Sequence, residues 1–208
     1  MRFSWVRPRR LSQCGVRYEW LGPSDNAHAV VLLMSRVGGR LAAEALESMS
    51  VEYSDDDIQS LVEERKPLPT DFQKRIELRA KRGHRERELD VRGAGGNDFR
   101  LILRQSMPNP IDFSIILAYC PKGTNRVFRL RRYNGSSHEH TNRIEGTRFR
   151  GFHIHMATER YQELGGDEDS YAEHTDRFSD FQRALQCVLD DCAFETPDHP
   201  QLYIKVQR

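Results

Sequence analysis

The sequence lacks an apolar run long enough to cross a membrane. Its longest run, AHAVVLLM at residues 27–34, is interrupted by His28 and falls far short of the ~20 residues that a transmembrane helix needs. The basic N-terminus MRFSWVRPRR is followed by a polar stretch where a secretory signal would have its apolar segment. We therefore expect no membrane partner for this chain.

Paired cysteines and familiar catalytic motifs are also missing. Cys14, Cys120, Cys187 and Cys192 form no Cys-x-x-Cys pair, so no disulfide framework is expected and the predicted compartment is the reducing cytoplasm. The chain has no Gly-x-Gly-x-x-Gly sequence, no Gly-x-Ser-x-Gly sequence and no zinc-finger spacing. The most recognisable nucleotide-binding, hydrolase and finger classes are thereby excluded.

Net charge and lysine content are low as well. The formal net charge is +1, so the chain as a whole has no electrostatic preference for nucleic acid, and such a preference has to come from a local patch. Of the 32 basic residues, 27 are arginine and 5 are lysine. Because the guanidinium group is a planar fork, this composition suits the binding of carboxylates and phosphates.

Residues 1–48 differ from the rest of the chain. They contain isolated aromatic residues and scattered arginines without a persistent helix or strand period, and Met49 then precedes a well-formed helix start. We expect residues 1–48 to be a poorly structured or misannotated N-terminal extension and residues 49–208 to be a single α+β domain. The alternative is an amphipathic helix at about residues 28–47 that packs on this domain.

Two helices are predicted from their caps and apolar stripes. Ser54 starts a capping box before a helix over residues 55–66, and Ser179 starts another before a helix over residues 180–191. Between them, four segments have the alternating or continuously apolar pattern of strands. These segments are residues 99–105, 112–120, 126–133 and 151–157. Short connections rich in proline and glycine favour antiparallel pairing, so the predicted fold class is α+β, a mostly antiparallel sheet covered on one face by the two capped helices.

Two charged segments have competing interpretations. Residues 72–92 are either a basic arm that contacts phosphates or a solvated strand pair that turns at Gly83 and His84. Residues 157–179 are acidic, and they are interpreted as a mobile flap over the sheet, an acidic docking surface or a solvated loop.

Histidine is concentrated in one part of the chain. Five of the eight histidines are His138, His140, His153, His155 and His174. Because side chains alternate along a strand, Phe152, Ile154 and Met156 of GFHIHMA are predicted to face the core. The same alternation turns His153 and His155 towards solvent on the opposite face.

One interpretation of the histidines is a site for a divalent metal ion. A His-x-His pair in a strand puts two imidazoles on one face, and the chain has two such pairs: His138 with His140, and His153 with His155. A hairpin that turns at residues 145–146 would set His138 opposite His153 and bring all four onto one face, with Glu139 nearby. The cofactor itself is unknown from sequence, and a divalent metal is the candidate.

A second interpretation is chemistry on phosphate without a metal. His153, His155 and His140 would act as general acid, general base or anchor, because imidazole titrates near neutral pH. Four arginines of the neighbouring strands would hold the phosphate on one contiguous cationic face, and they are Arg100, Arg104, Arg129 and Arg131. A third interpretation is that these are ordinary polar residues of a wet sheet face, or a surface for a protein partner.

Several segments together resemble a known family. They are the acidic helix SDDDIQSLVEERK, the strands FRLILRQ, DFSIILAY and FRLRRYNG, the loop HEHTN, the strand FHIH and the closing helix FSDFQRALQCVLDDC. Over about residues 53–194 this layout resembles an uncharacterised bacterial family, a domain of unknown function, whose His-x-His strand matches His153 and His155. The resemblance implies a small accessory protein with an operon-encoded partner, as in toxin–antitoxin pairs.

The functional expectation is a phosphate- or RNA-binding module of toxin–antitoxin type, with cleavage of the RNA left open. The alternatives are a non-catalytic protein-interaction module and a histidine-based metal-binding protein. The sequence leaves open whether the protein is an enzyme.

Overall fold

The computed structural model describes residues 53–165 and 167–197, and these form an α+β fold. The predictions for residues 1–48 lie outside the described residues. The described helices are α1 (Asp55–Glu63), α2 (Phe72–Arg75), α3 (Glu159–Glu163) and α4 (Phe181–Asp191). None of these helices has the length and apolar character that crossing a bilayer requires.

The described strands build one large sheet and two small ones. The strands are β1 (Lys66–Pro67), β2 (Arg79–Lys81), β3 (His84–Arg92), β4 (Asp98–Ser106), β5 (Phe113–Tyr119), β6 (Phe128–Asn134), β7 (Glu139–Asn142), β8 (Thr147–Arg150), β9 (His153–Met156), β10 (Tyr171–His174) and β11 (Phe194–Glu195). The large sheet has the order β10-β9-β6-β5-β4-β3-β2, and each neighbouring pair is antiparallel. The pairs β7–β8 and β1–β11 stand apart from it, and β1–β11 is parallel. The predicted α+β class with a mostly antiparallel sheet is confirmed.

Both ends of α1 are set by nearby side chains. Ser54 Oγ accepts a hydrogen bond from the Asp57 backbone N–H at 3.1 Å, and the Asp57 carboxylate accepts one from the Ser54 backbone N–H, as a capping box does. The predicted helix end at residue 66 is wrong, because α1 stops at Glu63. Lys66 pairs with Phe194 in the parallel β1–β11 bridge, and Pro67 has no N–H with which to continue a helix.

The second predicted cap lies one residue further along the chain than expected. Asp180, rather than Ser179, is the N-cap of α4, and its carboxylate accepts a hydrogen bond from the Arg183 N–H at 2.9 Å. The predicted apolar stripe of this helix is buried. Aspartate caps a helix as well as serine does, so the shift leaves the helix in place.

The two faces of the large sheet differ in what they pack against. On the inner face, alternate residues of β3 to β6 form one hydrophobic cluster with the buried side chains of α1 and α4. The outer face has a small cluster of Ile102, Ile116 and Ala118, and is otherwise polar. The outer face is therefore the side on which a polar site can form.

A β-bulge changes the direction of side chains in β6. The register with β5 shifts between Leu117 and Ala118, so that Arg131 lies opposite Leu117 and Arg129 lies opposite Ala118. Since Leu117 belongs to the inner cluster and Ala118 to the outer one, the two arginines lie on opposite faces. The prediction that both belong to one contiguous cationic face is wrong, because a sequence pattern with a strict period of two cannot anticipate the extra residue.

Candidate metal centre

Strand β9 puts two imidazoles on the outer face of the sheet. His153 lies opposite Asn134 of β6, and His155 lies opposite Arg132. Phe152 and Ile154 pack against the inner cluster instead. The predicted alternation of β9 therefore matches the faces that these residues occupy.

The predicted exposure of the two histidines is wrong. His153 is 0% exposed and His155 is 3% exposed. The hairpin β7–β8 covers both rings. The centroid of the His140 ring is 5.5 Å from that of His153 and 4.7 Å from that of His155. Outward-facing residues of a sheet are exposed only where nothing packs on that face, and here a second sheet does.

The predicted hairpin geometry also differs from the structure. Strand β7 pairs with β8, with Glu139 opposite Arg150, whereas β9 pairs with β6 and β10. His138 and His153 are therefore not partners in a ladder. The histidine pairs still meet, because the hairpin packs face to face on β9 rather than beside it.

Three histidines form a cluster with the spacing of metal ligands. One ring nitrogen from each of His140, His153 and His155 lies within 4.8 Å of the other two. His138 is exposed and outside this group, although its ring is 5.2 Å from that of His153. The carboxylate of Glu139 pairs with Arg148 at 3.3 Å instead. Of the four predicted histidine ligands, the structure brings three together.

Backbone carbonyls fix the tautomers of the two histidines in β9. His153 Nδ1 is 2.7 Å from the Gly151 carbonyl oxygen, and His155 Nδ1 is 2.8 Å from the Asp169 carbonyl oxygen. A carbonyl can only accept, so these contacts assign the hydrogen of each ring to Nδ1 and the lone pair to Nε2. At His155 the Arg132 Nη2, which can only donate, also lies 3.2 Å from Nδ1, and the shorter carbonyl contact decides the assignment. Carbonyl partners of this kind orient metal-binding histidines in proteins.

Asn142 does the same for His140. Its amide is fixed by the backbone of Ala172, because Oδ1 accepts from the Ala172 N–H at 2.9 Å and Nδ2 donates to the Ala172 carbonyl at 2.8 Å. The same Oδ1 is 2.9 Å from His140 Nε2, which must then donate. The lone pair of a neutral His140 therefore lies on Nδ1.

Asn134 lies between the two lone pairs of β9. Its Nδ2 is 3.4 Å from His153 Nε2 and 3.2 Å from His155 Nε2. Its Oδ1 is buried and has no hydrogen-bond partner. A side chain that donates to two convergent lone pairs occupies the direction from which a metal ion would bind them.

Burial keeps the three imidazoles neutral. Desolvation lowers the pKa of His153 to about 4 and that of His155 to about 2, and the nearby Arg132 guanidinium acts in the same direction. Desolvation also lowers the pKa of His140. Neutral imidazole is the form that binds a metal, so no ligand has to lose a proton near neutral pH.

A buried carboxylate holds the segment that carries the Asp169 carbonyl. The Asp169 side chain is 0% exposed, with Oδ2 at 2.8 Å from Arg132 Nε and Oδ1 at 3.5 Å from Arg129 Nε. Desolvation raises the pKa of Asp169, and the two guanidinium groups oppose this rise. Arg129 also binds Glu168 and Asp167, which ties residues 167–169 to β6.

The four predicted phosphate-binding arginines are distributed over the sheet. Arg100 pairs with Asp90, Arg129 with the acidic residues just described, and Arg131 reaches Gln59 at 3.4 Å on the inner face. Arg104 is the one that lies beside the histidine cluster, in a groove that also contains Asn134 and His138.

Sequence reasoning missed Asn134, Asn142 and Asp169. These residues act through tertiary contacts with His155, Ala172 and Arg132, and such contacts have no local spacing. Asn134 falls just after the strand predicted at residues 126–133, Asn142 falls in the loop HEHTN, and Asp169 is one of many acidic residues in its segment.

The geometry defines a candidate three-histidine metal centre on an α+β scaffold. Comparison of the chain with protein-family models, curated proteins and solved structures finds no match. The resemblance to a bacterial domain of unknown function therefore stays a prediction.

Proposed function

We propose that this protein binds a divalent transition-metal ion, of the zinc type, through His140, His153 and His155. The observation that carries the proposal is the convergence of three ring nitrogens, one from each histidine. Each imidazole gives one N–H to a fixed oxygen acceptor, and one nitrogen of each ring lies within 4.8 Å of the others. Three neutral nitrogen ligands suit zinc, copper or nickel better than magnesium or calcium, which prefer oxygen.

A three-histidine site leaves one coordination position open. Structural zinc sites usually have four protein ligands, whereas catalytic sites have three and keep the fourth for water or substrate. A bound zinc ion lowers the pKa of its water to about 7 and can polarise an oxygen of a substrate. We therefore infer that a hydrolytic or other Lewis-acid reaction is the activity to look for.

The first test is metal binding by the full-length chain. After removal of metal with a chelator, calorimetric titration with Zn²⁺ is expected to show one site, and Co²⁺ is expected to give the intense visible absorption of a four-coordinate nitrogen site. His155→Ala should weaken zinc binding by at least ~100-fold, because it removes a ligand and not merely its orientation.

Two further variants keep this test informative. His140→Asn changes the half-buried hairpin ligand and carries less risk of unfolding than a change in β9. His174→Ala is the matched control, since His174 lies opposite His153 in β10 but outside the three-ligand group. Stoichiometric zinc binding that survives in both His155→Ala and His140→Asn would overturn the proposal.

The other predicted functions stay predictions. Metal-free acid–base catalysis on RNA by His153, His155 and His140 would require the β7–β8 hairpin to move, since His153 is fully buried beneath it. Docking of an operon-encoded protein partner and a cytoplasmic location also stay predictions. The metal proposal uses the buried arrangement directly.

A further inference from the structure

A groove of about 680 Å³ lies on the outer face beside the histidine cluster. It runs across the sheet along a row of directly paired residues. Asn134 lies opposite His153, Ser114 lies opposite Asn134, and Arg104 lies opposite Ser114. The groove therefore runs from Asn134, which contacts His153 and His155, to a guanidinium group on β4, and the three clustered histidines themselves do not line it.

Arg104 has donors to spare for a ligand. Its carboxylate contact is Glu86, at 3.9 Å from Nε, which is too long for a hydrogen bond. Glu86 is bound more closely by Lys81 and by His84, the latter at 3.0 Å. The carboxylate is thus largely neutralised by other groups, and the Arg104 guanidinium can bind an incoming oxyanion.

Two polar atoms in the row are buried without a partner. They are Ser114 Oγ and Asn134 Oδ1, and both residues line the groove. Asn134 is only 4% exposed. Leaving such groups without hydrogen bonds destabilises the free protein, and a bound ligand that hydrogen-bonds them would remove this cost.

A metal ion would also change what Asn134 can do. Its Nδ2 now lies against Nε2 of His153 and of His155, the two lone pairs that the ion would take. If the amide turns over, Oδ1 faces the ion or its water, and Nδ2 becomes a donor towards the groove. Amide turns of this kind keep the shape of the side chain and exchange only its donor and acceptor.

The spacing fits a small ligand rather than a single ion. Three strand separations of ~4.8 Å put the Arg104 and His153 backbones about 14 Å apart, and the two side chains extend into this interval. The remaining gap suits an oxyanion group held by Arg104 and Ser114, with the Asn134 amide beside Ser114 as a further polar contact. The other acidic residue of the groove, Asp112, already accepts a hydrogen bond from Ser137 at 2.8 Å.

We propose that the groove binds a small phosphate-bearing molecule, with its phosphate held by Arg104, by Ser114 and, once a metal ion has turned its amide, by Asn134. This inference rests on the metal centre proposed above, because Asn134 Nδ2 is free for the groove only when the ion takes the lone pairs of His153 and His155. Phosphate suits the site because its oxygens can accept from a planar guanidinium and from a serine hydroxyl at the same time.

The test uses inorganic phosphate as the probe and the full-length chain. Zinc titration is first performed on each variant, so that the metal site is scored by itself. Phosphate binding is then measured by ³¹P NMR on the metal-free, Zn²⁺ and Co²⁺ forms. Phosphate is expected to bind the metal-loaded forms, with its resonance broadened by paramagnetic Co²⁺ close by.

Arg104→Gln and Ser114→Ala are each expected to weaken phosphate binding by ~10-fold and leave zinc binding unchanged. Ser114→Ala is also expected to cause no loss of stability, since its buried hydroxyl has no hydrogen bond to lose. Arg183→Gln removes the same charge from the exposed face of α4 and serves as the control.

The outcomes separate the two proposals. Normal zinc binding with unchanged phosphate affinity in both Arg104→Gln and Ser114→Ala overturns the groove assignment and leaves the metal centre standing. Equal phosphate binding with and without metal overturns the assignment as well. Failure of the native chain to bind zinc overturns both proposals together.

Discussion

At the scale of single residues, Lys66 joins segments that are distant in sequence. Its side chain is fully buried, and its ammonium, which has three hydrogens to donate, lies within hydrogen-bond distance of four carbonyl oxygens. The distances are 2.9 to 3.1 Å to Leu61, Val62 and Cys192 and 2.6 Å to Glu64. Nζ also lies 4.4 Å from the centre of the Phe99 ring. One charge therefore satisfies carbonyls at the ends of both long helices, which is a favourable location for a cation.

Lys66→Met is expected to lower the free energy of unfolding by ~3 kcal/mol. The substituted side chain fills the space but leaves several buried carbonyls without donors. Lys122→Met, in an exposed turn, is the matched control and should change stability by less than ~0.5 kcal/mol. Denaturant unfolding at pH 7 measures both, and equal midpoints for the two variants would contradict the role given to Lys66.

A comparison of the native chain with Lys66→Met at several pH values gives a second test. Desolvation lowers the pKa of Lys66 to about 8, whereas an unfolded lysine has a pKa of about 10.4. Between these values the unfolded state binds more protons, so the lysine makes the unfolding free energy rise with pH. Burial raises the pKa of the adjacent Cys192 thiol to about 11, so the thiol makes the unfolding free energy fall as pH rises. The nearby charges of Glu64 and Asp191 are present in both the native chain and the variant.

Lys66→Met removes the lysine contribution, and it also removes the charge that lowers the pKa of Cys192, so the thiol pKa rises further in the variant. A higher thiol pKa makes the stability of the variant fall more steeply with pH, so both changes widen the difference between the two proteins. The stability difference between the native chain and the variant is therefore expected to grow from pH 8 to pH 10. A difference that shrinks over this interval would mean that the buried amine keeps its proton more tightly than an exposed one.

The histidines show what residue-level reasoning can and cannot reach. Strand alternation gave the correct faces for Phe152, Ile154, His153 and His155, because the direction of a side chain is a local property. Burial is not local, since it depends on what packs from elsewhere in the chain. The histidines contact three oxygen acceptors only in the folded protein: the carbonyls of Gly151 and Asp169 and the amide of Asn142. Residue spacing in the sequence therefore could not predict these contacts.

At the scale of secondary-structure elements, the β7–β8 hairpin acts as a cover over β9. It contributes His140 to the cluster, and Phe149 packs 5.7 Å from the ring of His153. Asn142 fastens one side of it to β10 through both backbone groups of Ala172. At its turn, Ile144 N–H donates to the Tyr161 hydroxyl of α3 at 3.2 Å.

Asn142→Ala is expected to weaken zinc binding by ~10–100-fold without removing a ligand. The variant loses the acceptor that orients His140 and one of the attachments of the hairpin, and partners of this kind have effects of that size on metal sites. Thr141→Ala, an exposed neighbour in the same strand, is the control.

Zinc calorimetry together with amide hydrogen exchange measures both effects. The exchange rates of β7 and β8 should increase in Asn142→Ala and stay unchanged in Thr141→Ala. Unaltered zinc affinity in a hairpin that exchanges faster would show that His140 is not held by Asn142.

The regular elements were the most predictable part of the fold. The long strands β4, β5 and β6 and the helices α1 and α4 have strong apolar periods, and the structure has them within a few residues of the expected ends. Strand β10 and the short helices α2 and α3 were not predicted, because their periods are too short to stand out. The bulge in β6 and the β1–β11 pair depend on partners far along the chain.

At the scale of the whole molecule, the proposed ion would connect parts that otherwise meet only through side chains. Its ligands come from the hairpin and from β9, and the segment at Asp169 orients one of them. A ligand that binds the folded state far more tightly than the unfolded chain stabilises the fold by an amount that grows with the logarithm of the ligand concentration.

Zinc at ~100 times its dissociation constant is therefore expected to stabilise the fold by ~2.7 kcal/mol. For a chain of 208 residues this corresponds to a rise in Tm of roughly 5–10 °C. Differential scanning calorimetry with zinc, with zinc plus chelator, and with Mg²⁺ measures it, and only the first is expected to show the shift. An identical shift with Mg²⁺ would point to a nonspecific ionic effect.

The order of the histidines along the chain has a consequence for how an ion could be captured. An unfolded chain already has all the imidazoles on a short stretch, yet the oxygen atoms that aim them come from residues 142, 151 and 169. Loose chelation of the ion can therefore come before tight binding. Tight binding develops only when β9 has paired with β6 and the β7–β8 hairpin covers it. The rate of tight zinc binding would then report the rate of the last folding step, since long-range strand pairing is slow in such topologies.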